Sequence, residues 1–185
     1  MDTLPSEPML RLVFSSEQIA AVVRRLAAEI TADYAGRHLH LLVVLKGALF
    51  FAADLARHLE LPVTIDFIRI SSYCGTESTG GINLALEHEA SLRDKDVLIV
   101  EDILDTGLSL RYLMTSLAAQ QPSSLKSCVL ITKVVNRAFA IEPDYQGLSW
   151  RGGFLVGYGL DCDEQLRNLP GIYEMEQQPH GRSSL

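Results

Sequence analysis

The sequence predicts an α/β fold, a mostly parallel twisted sheet flanked by helices, and three observations predict it. Short continuous apolar runs at residues 41–45, 97–100 and 128–131 have the length and unbroken hydrophobicity of strands buried on both faces. Stretches with apolar residues at helical spacing alternate with them, and alternating β and α elements put helices on both faces of a parallel sheet. Each run stops at polar residues, Lys46-Gly47, Glu101-Asp102 and Thr132-Lys133, where open α/β sheets bind ligands beyond the carboxyl ends of their strands.

The elements follow in order. Ser15 and Gln18 make a capping box, and Ile19, Val22, Val23, Leu26 and Ile30 mark one face of a helix, the first predicted element. Residues 41–45 form a strand broken by Lys46-Gly47, and residues 48–59 read as the crossover helix before Pro62. Residues 63–70 are a second strand, with Val63, Ile65 and Phe67 facing opposite to Thr64 and Asp66. From 71 to 83 Ser, Thr and Gly crowd around Tyr73, Glu77 and Gly80-Gly81, which predicts a long mobile loop; loops of that length in compact domains are commonly lids or binding loops. Residues 82–86 return as the other strand of a hairpin. Residues 97–100 are a strand, 110–119 a helix with Leu110, Leu113, Met114 and Leu117 on one face, and 127–132 a further strand ending at Lys133. The short apolar bursts and aromatics after residue 140 predict a small irregular hood over the sheet edge, a C-terminal/N-terminal hood region. The expected organisation is one domain over 1–176, core about 12–139 and hood about 140–176, with a disordered tail at 177–185.

Composition narrows the function classes. A chain of 185 residues suits one core, burying roughly two thirds or more of the surface its unfolded form exposes. The formal charge of −7 argues against a broad nucleic-acid surface, which needs a concentrated basic face. No apolar run is long enough for a membrane span: residues 39–56 are broken by His40, Lys46 and Asp54. Cys74, Cys128 and Cys162 form no C-x-x-C pair, and the start, with Asp2, Pro5, Glu7 and Pro8, lacks the basic and apolar regions of a secretion signal, so a cytoplasmic location is expected. The five histidines show no ligand spacing.

The chemistry concentrates between residues 97 and 109. An apolar strand runs into two adjacent carboxylates, Glu101 and Asp102, and a third, Asp105, precedes the small and hydroxylated turn Thr106-Gly107-Leu108-Ser109 at a helix start. Adjacent acids repel unless a cation or sugar hydroxyls engage them. A helix start offers unpartnered N–H groups and a positive dipole to phosphate, Gly107 permits close approach, and Thr106 and Ser109 add hydroxyl donors. Strand, acid pair, phosphate turn and helix together point to a phosphorylated sugar with a divalent metal. Taken alone, Asp-Thr-Gly also reads as an ordinary turn before a capped helix.

Residues 100–107, VEDILDTG, resemble the phosphoribosyl-pyrophosphate signature of the type I phosphoribosyltransferases, most closely the hypoxanthine-guanine branch. Four further motifs occur in the family's order between about residues 41 and 169: Lys46-Gly47, Ser72-Tyr73, Lys133, and the block from Phe154 to Asp161 followed by Arg167. The resemblance implies phosphoribosyl binding by Glu101, Asp102, Asp105, Thr106, Gly107, Leu108 and Ser109. It implies pyrophosphate binding by Lys46 and Gly47, in a loop that often holds a cis peptide bond, by Arg167, and by Ser72 and Tyr73 in a closing lid. Lys133 would meet the 6-oxo group of a purine, Phe154 would stack on the base, Leu155 would meet its edge, and Asp161 would join these purine-binding residues while also holding a second magnesium on the pyrophosphate. Glu101, Asp102 and Asp161 would hold Mg²⁺, Asp105 would serve as general acid or base at N7, and the chain would form a homodimer or homotetramer.

The implied reaction moves a 5-phosphoribosyl group from phosphoribosyl pyrophosphate to N9 of hypoxanthine or guanine, giving IMP or GMP, a purine-salvage step. Selection of 6-oxopurines follows from pairing the Lys133 donor with an acceptor, since the amino group of adenine would leave two donors facing each other. Three departures from the family pattern bear on base preference: Leu108 where a basic residue is common, Gly153 in place of a lysine, and Val134-Val135-Asn136 after Lys133. A dinucleotide site is rejected, because Cys162 stands at the third glycine of a Gly157-x-Gly159 start, and no P-loop pattern occurs. The alternatives are a nucleotide-sensing regulator on the same fold and a phosphoribosyltransferase for another base.

Overall fold

A computed structural model of the chain describes residues 9–73, 83–87, 91–134 and 141–175. Most of the expected 71–83 loop and all of the expected 177–185 tail lie outside the described residues.

Among the described residues twelve elements run β1 (Leu10–Phe14), α1 (Ser16–Asp33), β2 (Leu39–Leu45), α2 (Leu49–His58), β3 (Val63–Tyr73), β4 (Asn83–Glu87), β5 (Asp96–Leu104), α3 (Leu108–Ala118), β6 (Ser124–Lys133), β7 (Tyr145–Trp150), β8 (Phe154–Val156) and β9 (Ile172–Met175). The main sheet has six strands in the order β4-β3-β2-β5-β6-β7. All its neighbours are parallel except β4, which closes a hairpin with β3. A second, antiparallel sheet, β1-β9-β8, forms the hood.

Each face of the main sheet carries its own core. On one side α1 and α2 lay Ile19, Leu26, Ile30, Phe51 and Leu55 over Leu41, Val43 and Leu98. On the other, Leu110, Leu113 and Leu117 of α3 cover Leu42, Val97, Ile99 and Val129. The alternation along β2 and β5 thus supplies both faces, which is why these strands read as unbroken apolar runs. The α1 start is the capping box that the sequence predicts: the Gln18 N–H donates to Ser15 Oγ and the Ser15 N–H to Gln18 Oε1. Such a cap contributes about 1 kcal/mol.

Three expectations are corrected. The first element is β1, not a helix; none of its five residues is fully buried, and they are stabilised by pairing with β9, some 160 residues away, which no local pattern reveals. The segment after residue 140 is not all hood, because β7 joins the main sheet as its sixth strand, parallel to β6. The loop expected from residue 71 begins later, since β3 continues through Tyr73, with Ser72 opposite Leu84 and Tyr73 opposite Asn83 in the β4 ladder. No described helix is long and apolar enough to cross a membrane.

Candidate active site

Strand order locates the site. From β2 the chain crosses through α2 to β3 on one side, and from β5 through α3 to β6 on the other, so connections diverge between β2 and β5. A crevice opens at such a switch point, beyond the carboxyl ends of the strands. The loop after β2 carries Lys46-Gly47, and the end of β5 carries the three acids. A larger hollow of about 730 Å³ lies at the opposite, amino-terminal ends, bordered by His40, Thr64 and Asp96. It lacks a helix start and sits at the end of the sheet where such folds do not bind ligands, so the smaller crevice is the stronger candidate.

β5 extends past residue 100, where the sequence suggested its end, to Leu104. The ladder with β2 ends at Val43 opposite Val100, while the ladder with β6 continues to Leu104 opposite Thr132. Glu101 and Asp102 therefore stand where one neighbour departs and the other remains, still in the strand yet at the mouth of the crevice. Glu101 is buried, and its Oε2 has no hydrogen-bond partner among the described residues. Loss of water, with the neighbouring Asp102 charge adding to it, pushes its acid up to about 8. Asp102 is raised to about 6: desolvation outweighs its backbone hydrogen bonds and the Arg167 guanidinium.

These acids fit a divalent cation. Two poorly solvated carboxylates, one with an orphaned oxygen, are costly to ionise without a counter-charge. Among the described residues no three His, Cys, Asp or Glu side chains cluster to enclose a metal. The protein offers an acid pair, not a cage, which suits Mg²⁺ held by one or two carboxylates together with substrate oxygens.

Gly47 packs flush against Asp102. A methyl group on Gly47 would lie 1.7 Å from Asp102 Oδ2, and one on Gly159 would lie 2.0 Å from the Gly47 carbonyl oxygen. Residues 47, 102 and 159 therefore stack with no room for added atoms, and the Leu45–Lys46 peptide bond entering this loop is cis.

The phosphate turn follows β5. Gly107 adopts φ 83 at the N-cap of α3, with no side chain capping the helix, and Thr106 Oγ1 accepts weakly from the Leu108 N–H at 3.4 Å. The helix starts at Leu108, two residues earlier than its apolar spacing shows, so Leu108 and Ser109 lie in its first turn. Glu101, Asp102, Asp105, Thr106, Gly107 and Ser109 all border one cavity of about 250 Å³.

The two cations assigned to pyrophosphate converge from distant segments. Lys46 Nζ donates to Glu164 Oε2 at 2.8 Å. Arg167 donates from Nη1 to the Gly159 carbonyl at 2.7 Å, and its Nη2 lies 2.9 Å from Asp161 Oδ1 and 3.4 Å from Glu164 Oε2. Asp161 Oδ2 accepts from the Glu164 N–H at 2.9 Å, so Asp161 faces the Arg167 side of the loop. Tyr158 anchors this loop to α2, its hydroxyl donating to Asp54 Oδ2 at 2.6 Å.

On the base side, Lys133 at the end of β6 donates to Asp105 Oδ2 at 3.2 Å. Phe154 opens β8 with 47% of its surface exposed, and Leu155 beside it is buried. Ser72 and Tyr73 stand apart: the β2–β3 ladder ends at Leu45 opposite Arg69, and Tyr73 is four residues further along, about 13 Å at ~3.3 Å per residue. Sequence reasoning missed Glu164, Gly159 and the Tyr158–Asp54 pair. Positive φ at Tyr158, Asp163, Glu164 and Leu166, beside that of Gly157 and Gly159, marks the loop as unusual, and side-chain pattern does not reveal it.

Comparison with known proteins agrees in sequence and shape. The phosphoribosyl transferase domain family matches residues 13–163. The hypoxanthine-guanine-xanthine phosphoribosyltransferase of Tritrichomonas foetus is 36% identical over 172 residues, 92% of this chain and 94% of that protein. The hypoxanthine-guanine phosphoribosyltransferase of Streptococcus thermophilus is 36% identical over 173 residues, 93% of this chain and 96% of that one. Among solved structures, a hypoxanthine-guanine phosphoribosyltransferase from Bacillus anthracis superposes with TM-score 0.82 and 38% identity, covering 90% of this chain and 98% of that chain. The hypoxanthine phosphoribosyl transferase of Trypanosoma cruzi gives TM-score 0.83 at 34% identity, covering 94% of this chain and 95% of that chain.

Proposed function

The chain belongs to the phosphoribosyl transferase domain family, and from that premise we propose that it is a purine-salvage enzyme: it transfers the 5-phosphoribosyl group of phosphoribosyl pyrophosphate to N9 of hypoxanthine or guanine, releasing IMP or GMP and pyrophosphate. The observation that carries this reading is the acid pair Glu101-Asp102 at the β2/β5 switch point, pressed against Gly47 and followed directly by the Gly107 helix start.

Thr106, Gly107, Leu108 and Ser109 receive the 5-phosphate at the positive end of α3. Glu101 and Asp102 orient the ribose hydroxyls, and their carboxylates, once a bound counter-charge ionises them, would favour the oxocarbenium-like carbon as the C–O bond breaks. Lys46, with the Gly47 backbone, and Arg167 take the growing charge of the leaving pyrophosphate. Glu101 and Asp102 would hold Mg²⁺, with Asp161 for a second ion, and such ions would further neutralise that charge. Ser72 and Tyr73 belong to the lid that keeps water from the cation. Phe154 stacks on the base, the Leu155 backbone meets its edge, and Lys133 donates to the 6-oxo group. Asp105 repels phosphate and is paired with Lys133, which supports its acting on the base at N7.

The free thiols of Cys128 and Cys162 support a reducing cytoplasm. A homodimer or homotetramer is supported by an apolar surface: Leu41 pairs with Ile65 and Val43 with Phe67, so Ile65 and Phe67 share the face of α2, yet stay 48% and 43% exposed. Leu49 and Phe50 on the first turn of α2 are exposed too.

The test is a magnesium-dependent assay of nucleotide formation from phosphoribosyl pyrophosphate with hypoxanthine, guanine, xanthine and adenine. Turnover of 6-oxopurines and not adenine is expected. Protein that binds the donor yet turns over no base would overturn the assignment in favour of a nucleotide-sensing regulator.

A further inference from the structure

Glu164 has no place in the sequence-derived site, yet it lies against both cations assigned to pyrophosphate. One oxygen, Oε2, accepts from Lys46 Nζ at 2.8 Å and stands 3.4 Å from Arg167 Nη2. Lys46 reaches it from 118 residues away, whereas Arg167 lies three residues further along the same turn. The turn that presents Glu164 is built for this placement: its N–H is held by Asp161 Oδ2 at 2.9 Å, and Asp163 and Glu164 adopt φ 50 and φ 64, left-handed backbone that residues other than glycine seldom occupy.

A carboxylate oxygen and a phosphate oxygen are equivalent acceptors for an ammonium or a guanidinium. Resting on the reading of Lys46 and Arg167 as the pyrophosphate cations, we propose that Glu164 is a built-in stand-in for pyrophosphate: its carboxylate engages both cations before the ligand arrives, is displaced when pyrophosphate or the donor's pyrophosphate arm binds, and so sets the affinity of the site for that group.

Three features make the displacement workable. The Lys46 bond keeps Glu164 ionised, holding its acid below the ordinary carboxylate value. The Glu164 side chain is 64% exposed, so the pair is solvated and weak, and a ligand with several negative charges out-competes it. Asp161, which also contacts Arg167, is tied to the turn backbone, so the Glu164 carboxylate can swing away while Arg167 keeps its Gly159 and Asp161 contacts. When product pyrophosphate leaves, the carboxylate takes back both cations, which favours release.

The experiment is calorimetric titration of magnesium pyrophosphate into wild type, Glu164→Gln and Glu164→Ala at low and high salt, with GMP titrated as a control ligand. At low salt both variants should bind pyrophosphate roughly two- to fivefold more tightly than wild type, the range for loss of an exposed competing ion pair. That difference should shrink at high salt, where exposed charges are screened, and GMP affinity should not change. Variants that bind pyrophosphate equally well or more weakly would overturn the stand-in and make Glu164 an organiser of the cations. Wild type that binds no magnesium pyrophosphate would overturn the assignment of Lys46 and Arg167 itself, and the inference with it.

Discussion

Lys133 and Asp105, 28 residues apart, are joined by an ion pair with Nζ 3.2 Å from Oδ2, the lysine side chain only 15% exposed and the carboxylate 52% exposed. The link ties the end of β6 to the turn after β5, so the group assigned to select the base and the group assigned to move its proton form one unit. Asp105→Asn keeps the shape and removes the charge; kcat should fall ~10²- to 10⁴-fold, the usual share of general acid–base catalysis, with little change in the KM for phosphoribosyl pyrophosphate. Lys133→Met should lower kcat/KM for hypoxanthine and guanine roughly 10- to 100-fold, the worth of a charge-assisted hydrogen bond, and leave adenine unaffected. Steady-state kinetics with all three bases reads both; wild-type turnover by Asp105→Asn would remove its assigned role.

Glu101 makes stability depend on pH in the direction opposite to most carboxylates. Its acid rises from an ordinary 4.5 to about 8, so between those values the folded chain holds a proton that the unfolded chain has released. Its contribution to stability is therefore largest at low pH and declines as pH rises towards 8; Asp102, raised from 3.8 to about 6, acts in the same sense over a lower interval. Glu101→Gln removes the titration. The difference in melting temperature, variant minus wild type, should grow in favour of the variant from about pH 5 to about pH 8 in metal-free protein. A difference that stays flat across this range would contradict the buried, protonated acid.

Gly47 and Gly159 should fail differently when replaced by alanine. At Gly47 the added methyl meets the movable end of Asp102, so the fold should survive while the carboxylate is pushed aside. The KM for phosphoribosyl pyrophosphate should then rise, by about 10²-fold for a displacement near 1 Å, with near-normal circular dichroism. At Gly159 the methyl meets the Gly47 carbonyl, which is backbone, and the residue sits at φ 103. Gly159→Ala should lower stability itself by about 1–3 kcal/mol, measured by urea denaturation.

Phe154 is nearly half exposed, so its ring contributes little to the core and its face is available to a base. Phe154→Ala should leave the melting temperature almost unchanged and raise the KM for hypoxanthine about tenfold, in line with ~1–3 kcal/mol for an aromatic–base stack. A large drop in melting temperature with an unchanged KM would make it a packing residue.

Much of the scaffold was legible along the chain because its signals are local. The capping box at Ser15, the helical spacing after it, and the apolar runs in β2, β5 and β6 each follow from a few neighbouring side chains. The same holds for VEDILDTG, where acids, turn and helix start are contiguous, and for the order of the motifs that carried the family resemblance. Where two segments must meet, the chain alone was silent or misleading. β1 is a strand only because β9 pairs with it, and β7 belongs to the main sheet only because β6 offers it a parallel edge. Sequence by itself determined which residue types the site has and roughly where each element runs. Tertiary structure decided that β5 continues four residues past its last pairing with β2, that Glu101 there is buried, that Gly47 backs onto Asp102, and that Glu164 covers Lys46 and Arg167. Local pattern encodes periodicity and turn chemistry, whereas ladder ends, desolvation and pairing of charges more than a hundred residues apart exist only once the strands are assembled.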